Sequence, residues 1–511
     1  MTPNVYFKKI LLKILPFLLC LIYFGWEIFN FNLSIDEELH SFGMGGWQAW
    51  LKQGRWGMSL LVFLLPEHFS VVPFLPTFTF SLLTSVALIR LVNILKLSDV
   101  QKLLFIVSFL STPIWAHIVQ FGTLSWGVGI GFLMTTISIE LFLKKEGGYY
   151  KILSAMLLAF SVSIYQGLVV FQFILLFFII SRDHISCIES RNGGFKISFI
   201  YDWIKLFLFV VFSILIYVVI SKLTLVLANY ELAYISSFID INALLHEPLP
   251  ILNRGFDNYV SYFNGSHAIY LSLGVLPIIL FWSGVAGGVL SLFLKNNCKL
   301  IIYLIVLVLA FSLSSALLVL VSAGSVPARS LVYIPIVIGL VSTLTVVLVG
   351  KYNQVIYILT ALTILGSAYI NISLFYSDQI ERDRDKILAT RLMVEFDSIL
   401  KNDPRDKYQL VIIGSSQSEN SGISKKIEVF GSSFFGHDGG NIVRIHAYFN
   451  YLGENRFSRA YLSEYTTSIE KINDIPVWPK SGSVFLHDDI VVVKLGELSY
   501  SQKLRLEESK K

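Results

Sequence analysis

The chain has 511 residues, of which 55 % are hydrophobic and 15 % charged, against about 45–50 % and about 25 % in soluble domains. With a mean hydropathy of +0.68, it reads as an integral membrane protein and not as a soluble enzyme or regulator. The net charge of +5 is spread over short loops and the tail without a basic stripe, which excludes a nucleic-acid partner.

At the amino end, Lys8, Lys9 and Lys13 precede a Leu-rich run that continues to about residue 31. It lacks a small-residue cleavage site and reads as a retained anchor. Further apolar runs of spanning length fall near 70–95, 101–119, 123–143, 203–228, 268–295, 299–321, 331–350 and 353–375. The stretch 152–181 is too long for one untilted span and is interrupted at Ser163-Ile-Tyr-Gln-Gly167. Short cytoplasmic loops collect Lys and Arg. A helical hairpin turning at Tyr165 and Gln166 puts both basic flanks (Lys144, Lys145 and Lys151; Arg182, Arg191, Lys196 and Lys205) on one side. Arms of about 15 residues cover about 22 Å, less than the ~30 Å hydrocarbon core. The turn is therefore expected below the membrane surface, lining a wet, protein-enclosed cavity.

These spans predict a polytopic helical protein of about 11 transmembrane helices, with the amino end inside and the carboxyl end outside. Residues 1–375 form the membrane domain and 376–511 a small α/β domain. Within the latter, Asp378–Lys386 opens a charged helix to about 401, Tyr408–Ile413 reads as a buried strand, and 483–487 with 490–495 as a hairpin. The cysteines Cys20, Cys187 and Cys298 show neither disulfide nor metal spacing.

Asp36, Glu37 and Glu38 stand in a row after the first span, close to His40, and are followed by Trp47, Trp50, Arg55 and Trp56. Acids at a helix start favour its dipole, but three in a row exceed what capping needs. A carboxylate there can take a proton from an attacking hydroxyl, and crowding of like charge raises one pKa. Arg55 and Trp56 have the competing reading of interfacial anchors. Arg329 follows Pro327 as the one charge in its loop, and a guanidinium pairs with phosphate oxygens. Tyr165 and Gln166 either bond the hairpin arms together or touch a sugar or headgroup. His117 and Gln120 sit on the same face, with a structural role favoured for His117. Asn253–Asp257 and Tyr259–Asn264 are aromatic and polar, while Gly414-Ser-Ser and Gly436-His-Asp-Gly-Gly440 read as turns and strand ends, with contact to substrate the lesser alternative. No Walker loop or dinucleotide fingerprint occurs in a strand–helix context.

Ile35-Asp-Glu-Glu38, Gly54-Arg-Trp56, Ile164-Tyr-Gln166 and Pro327-Ala-Arg329, in this order, resemble the bacterial and phage-encoded O-antigen glucosyltransferases, serotype-converting enzymes of the type-II-like Gtr family. The resemblance covers about residues 10–375. It implies a C-class glycosyltransferase (GT-C) fold in the inner membrane, with undecaprenyl-phosphate glucose as donor and an O-antigen repeat of lipopolysaccharide as acceptor on the periplasmic face. Many relatives carry paired aspartates where this chain has Asp36 and Glu37, so the base stays open between the two. The expected reaction inverts the anomeric carbon. Glu38, His40, Arg55, Trp56, His117, Tyr165, Gln166 and Arg329 are the candidates for contact with substrate. Besides donor and acceptor the partner is membrane lipid. No nucleotide cofactor is expected and no residue is assigned to a metal, although a divalent ion at the acids stays open. The carboxylates and Arg329 are expected to share a wet pocket opening away from the cytosol. The rivals are an O-antigen polymerase and a flippase for lipid-linked sugar.

Overall fold

Proline, glycine and capping side chains decide where these helices stop, because apolar length alone runs on almost without pause. The computed structural model describes residues 3–30, 32–41, 43, 46–66, 69–144, 147–190, 197–232, 246–293, 326–349, 353–400, 408–416 and 422–509. The first helices are α1 (Pro3–Phe29), α2 (Glu37–Ser41), α3 (Trp47–Lys52), α4 (Trp56–Leu64) and α5 (Leu75–Ile94). Ser98 caps α6 (Asp99–Leu110). Its Oγ accepts from the Gln101 N–H at 3.4 Å while its own N–H donates to Gln101 Oε1 at 3.1 Å. Such a reciprocal box is worth about 1 kcal/mol.

The expected span 101–119 is not one helix. Pro113 lacks an N–H and crowds the preceding turn, so the chain breaks after α6 and restarts as α7 (Ile114–Val119). Then come α8 (Gly122–Leu143), α9 (Gly148–Ile164), α10 (Leu168–Ser190) and α11 (Ile197–Ala228). The interruption at Tyr165–Gly167 falls between α9 and α10, where the hairpin reading puts it. The second arm, at 23 residues, is longer than expected.

Within the loop expected over 229–267 lies α12 (Pro248–Asn264). The span expected at 268–295 starts with two short 3-10 turns, the second containing Pro277, before α13 (Ile279–Phe293). Span 299–321 lies outside the described residues. The run 331–350 divides into α14 (Ile334–Ser342) and α15 (Thr345–Val349). The last apolar run and the charged stretch are one helix, α16 (Asn353–Leu400).

Among the described residues five helices are long and apolar enough to cross a membrane, and three more are apolar but shorter. The molecule is mostly helical, as a polytopic membrane protein is. Apolar residues point outward on α11, where Phe207, Leu215 and Val226 are exposed, a surface that lipid rather than water solvates. Inside, serines tie helices together: Ser138 Oγ lies 3.0 Å from Ser154 Oγ and accepts from Gln172 Nε2 at 2.8 Å.

The chain forms two compact units, Met1–Phe29 with Gly46–Ile372, and Asn30–Gly45 with Ser373–Lys511. The division is thus not a single cut near 375. Leu33 and Ile35 of the acidic segment lie in the hydrophobic core of the second unit, among Leu392, Phe396, Tyr448 and Phe449. Burial of such side chains is worth about 1.5–3 kcal/mol each.

The second unit contains β1 (Tyr408–Ile413), α17 (Ile442–Tyr451), β2 (Phe457–Arg459), α18 (Leu462–Tyr465), α19 (Ile469–Asp474), β3 (Val484–His487), β4 (Ile490–Lys494) and α20 (Tyr500–Glu508). The sheet order is β2-β1-β4-β3, with β1 parallel to β2 and β4 and β3 antiparallel to β4. Leu410 and Ile412 of β1 face one core, and Val411 and Ile413 the other. Burial on both faces is why this strand reads as a continuous apolar run.

Candidate active site

In the second unit, the acidic residues are separated by a turn closed from the Glu37 N–H to the Ser34 oxygen at 3.1 Å. Asp36 occupies its φ > 0 position, at +82°, a conformation costing about 1–3 kcal/mol unless its surroundings impose it. Here they do: Ile35 is buried in the core, and the Ser34 N–H donates to Glu37 Oε2 at 2.9 Å. Glu37 is therefore a cap, 3 % exposed, with its carboxylate turned back on its own turn. His40 is half-buried, and its N–H reaches the Asp36 oxygen at 3.3 Å.

Asp36 and Glu38 turn instead toward Arg444, the third residue of α17. The guanidinium donates to Asp36 Oδ1 at 2.8 Å, to Glu38 Oε1 at 2.5 Å and, through Nε, to Asp438 Oδ2 at 2.8 Å. The Glu38 side chain is fully buried, whereas that of Asp36 is 42 % exposed. Burial pushes the Glu38 carboxyl up to about 7; the Arg444 charge opposes this and the neighbouring Asp36 charge adds to it. Its second oxygen, Oε2, finds no hydrogen-bond partner among the described residues. Burial also lowers the pKa of His437, against the pull of Asp438.

The three consecutive carboxylates thus have three environments: one capping, one deeply buried, and one half open. Arg444 is missing from the sequence reading, and Asp438 enters it only as part of the Gly436–Gly440 stretch. That stretch reads there as a turn or strand end, and an arginine on a half-apolar helix carries no local sign of its partner. Among the described residues no group of three or more His, Cys, Asp or Glu is arranged to hold a metal ion.

In the first unit, four segments distant in sequence gather at the Tyr165–Gly167 turn. Arg55 precedes α4 and donates from Nε to Gln166 Oε1 at 3.2 Å. Its guanidinium lies 5.4 Å from the Tyr165 ring centre and 5.6 Å from that of Trp50. The Tyr165 hydroxyl donates to the backbone oxygen of Arg329 at 2.6 Å, and the Arg329 guanidinium lies 4.8 Å over Phe121. Gly167 is needed for this approach: a Cβ there would stand 2.9 Å from Val332 Cγ2 and 3.1 Å from the Ser330 oxygen. Tyr217 on α11 fixes the other side, donating to the Gly54 oxygen at 3.0 Å.

Trp56 packs edge-on to Phe160 at 5.8 Å, and its indole N–H has no hydrogen-bond partner among the described residues. His117 and Gln120 are buried, at 1 % and 2 % exposed; α7, which carries His117, packs on the Ala328–Ser330 turn. Arg329 itself is half-buried. Among the described residues it has no carboxylate partner, which leaves a guanidinium able to accept an external anion.

The family model of the glucosyl transferase GtrII matches residues 25–346, more than half of the chain and all ten residues that the sequence singles out. Nothing matches among curated proteins or solved structures. The matched segment carries both the acidic turn and the Arg55–Tyr165–Arg329 cluster, and the chain belongs to the GtrII family of glucosyl transferases.

Proposed function

We propose that the chain transfers a glucosyl group from undecaprenyl-phosphate glucose to an O-antigen repeat on the periplasmic face of the inner membrane, inverting the anomeric carbon, on a GT-C-like scaffold. The observation that carries this reading is the gathering of Arg55, Tyr165, Gln166 and Arg329 at one helix break. It brings the Arg55 guanidinium beside an amide and a phenol, and holds the Arg329 main chain on the same phenol with its guanidinium over Phe121. A phosphodiester oxygen is the natural partner of such a cluster.

In the reaction, an acceptor hydroxyl loses its proton to a carboxylate as its oxygen attacks the anomeric carbon. The bond from that carbon to the phosphate oxygen breaks, and polyprenyl phosphate departs with the electron pair. Arg329 and Arg55 bind the phosphate and stabilise the charge that grows on it. Asp36 is the base. Its environment supports the choice over Glu37, whose carboxylate caps Ser34, and over Glu38, whose side chain is fully buried. Asp36 keeps an exposed carboxylate with only Oδ1 bonded to Arg444 among the described residues.

The test is an assay of the purified full-length chain with polyprenyl-phosphate glucose and O-antigen acceptor. Incorporation of one glucosyl residue per repeat supports the reading. Chain growth would instead show a polymerase, and movement of the lipid without transfer a flippase.

A further inference from the structure

Strands β1, β2 and β4 run parallel, so their carboxyl ends share one edge of the second unit's sheet. From β1 the chain crosses through α17 to β2 on one side, then returns to β4 on the other. Ligands of open α/β sheets bind outside the strands' carboxyl ends where the order reverses in this way. A cavity of about 530 Å³ lies there, lined by Ile412 at the end of β1, by residues 438–442, by residues 460–463 after β2, and by α20. Its size falls within the ~300–1,000 Å³ of small-molecule sites.

The lining identifies the ligand's chemistry. Asp438 and Glu508 offer carboxylates, Arg505 a guanidinium, Asn441 and Ser463 neutral polar groups, and Tyr461 a ring. Tyr461 is 49 % exposed, with Arg505 5.5 Å over its ring. Two carboxylates against one guanidinium disfavour a phosphate, although glycines precede a helix here. Gly440 serves a different purpose: at φ +79° its missing Cβ would stand 2.2 Å from the Gly414 oxygen. It closes backbone onto backbone and is not spare for an anion. Mixed acceptors and donors around a half-exposed ring suit a neutral polyhydroxylated ligand.

We propose that this cavity binds the acceptor saccharide through sugar residues that do not themselves react. The inference rests on the glycosyl-transfer reading above and names where its acceptor is held. Asp438 is the link: it lines the cavity and accepts from Arg444 Nε, while the same guanidinium donates to Asp36. A saccharide seated against Asp438 is one arginine away from the proposed base.

The experiment uses the full-length chain in nanodiscs. The probe is short fragments of surface polysaccharide, cut by mild acid from cells in which the gene is deleted. Tyr461→Ala removes the ring and Ser463→Trp fills the space; neither residue belongs to the acidic turn or the arginine cluster. Each should weaken fragment binding and raise the acceptor KM by about tenfold or more, equivalent to about 1.4 kcal/mol. Donor KM, kcat and thermal unfolding should stay as in the unsubstituted chain. Absence of fragment binding to the unsubstituted chain overturns the proposal, as does unchanged binding and acceptor KM in both variants. Fragment binding that Ser463→Trp abolishes, in a chain that transfers no glucose, would keep the saccharide site and reject the transfer reading.

Discussion

The acidic turn of the second unit and the arginine-bearing turn of the first are both charged, yet they are compensated differently. Around Arg444, three carboxylates surround one guanidinium within 2.5–2.8 Å, so the cation is fully paired within the fold and acid is left in excess. Around the Tyr165 turn, the Arg329 guanidinium meets the Phe121 ring, with no carboxylate partner among the described residues. A ring positions a guanidinium without neutralising it. A self-paired cluster is suited to hold one carboxylate in a fixed place for proton transfer; an open one is suited to bind a charged ligand.

Asp36→Asn has the largest expected effect. Transfer should fall by about 10²–10⁴-fold if this carboxylate takes the acceptor proton. The fold should survive, because Asn tolerates φ > 0 as Asp does and Asp36 sits at +82°. Unchanged thermal unfolding with lost transfer is the expected pair of measurements. Near-normal transfer would remove Asp36 from the chemistry.

Arg444→Met tests compensation directly. It leaves Glu38 buried without its counter-charge, a loss of the kind that costs about 3–5 kcal/mol. Limited proteolysis should then cut the second unit faster, with Arg444→Lys in between. Equal resistance would show that the three ion pairs add nothing to the unit. Arg329→Ala should behave in the opposite way. Its contact with Phe121 is worth only about 0.5–1 kcal/mol, so unfolding should barely change. Loss of charge-assisted hydrogen bonds of about 1.5–3 kcal/mol should raise the donor KM about 10–100-fold. An unchanged donor KM would exclude Arg329 from phosphate binding.

Local signals in the sequence find what local physics makes. The apolar run Tyr408–Ile413, the Asp488–Asp489 turn between β3 and β4, and the polar break at Tyr165–Gly167 all appear in the structure at those places. Apolar length fails where a short-range event overrides it: Pro113 splits a predicted span, and Pro277 delays the start of α13. Long-range pairing leaves no such mark. Asp36 and Arg444 are 408 positions apart, and nothing at either position announces the other. The same holds for Leu33 and Ile35, whose apolar character fits the end of a membrane span as well as the soluble core they occupy. The triplet of acids is conspicuous, but its division into cap, buried acid and exposed carboxylate emerges only from tertiary packing.

Glu38 separates burial from pairing. Its carboxyl is raised from 4.5 to about 7, chiefly by burial, while Arg444 pulls it down and Asp36 pushes it up. Between those two values the folded unit holds a proton that the unfolded chain has released. Stability from this group is therefore complete below about 4.5, declines as pH rises, and is lost once pH passes about 7. His437, lowered by burial, slopes the opposite way. Only the difference between Glu38→Gln and the unsubstituted chain isolates Glu38. Unfolding of the two should differ little at pH 4.5, and the glutamine variant should gain on the unsubstituted chain up to pH 7. A glutamine variant that gains nothing over that range would mean that attraction to Arg444 outweighs burial, and that the acidic turn is held by charge rather than by its apolar neighbours.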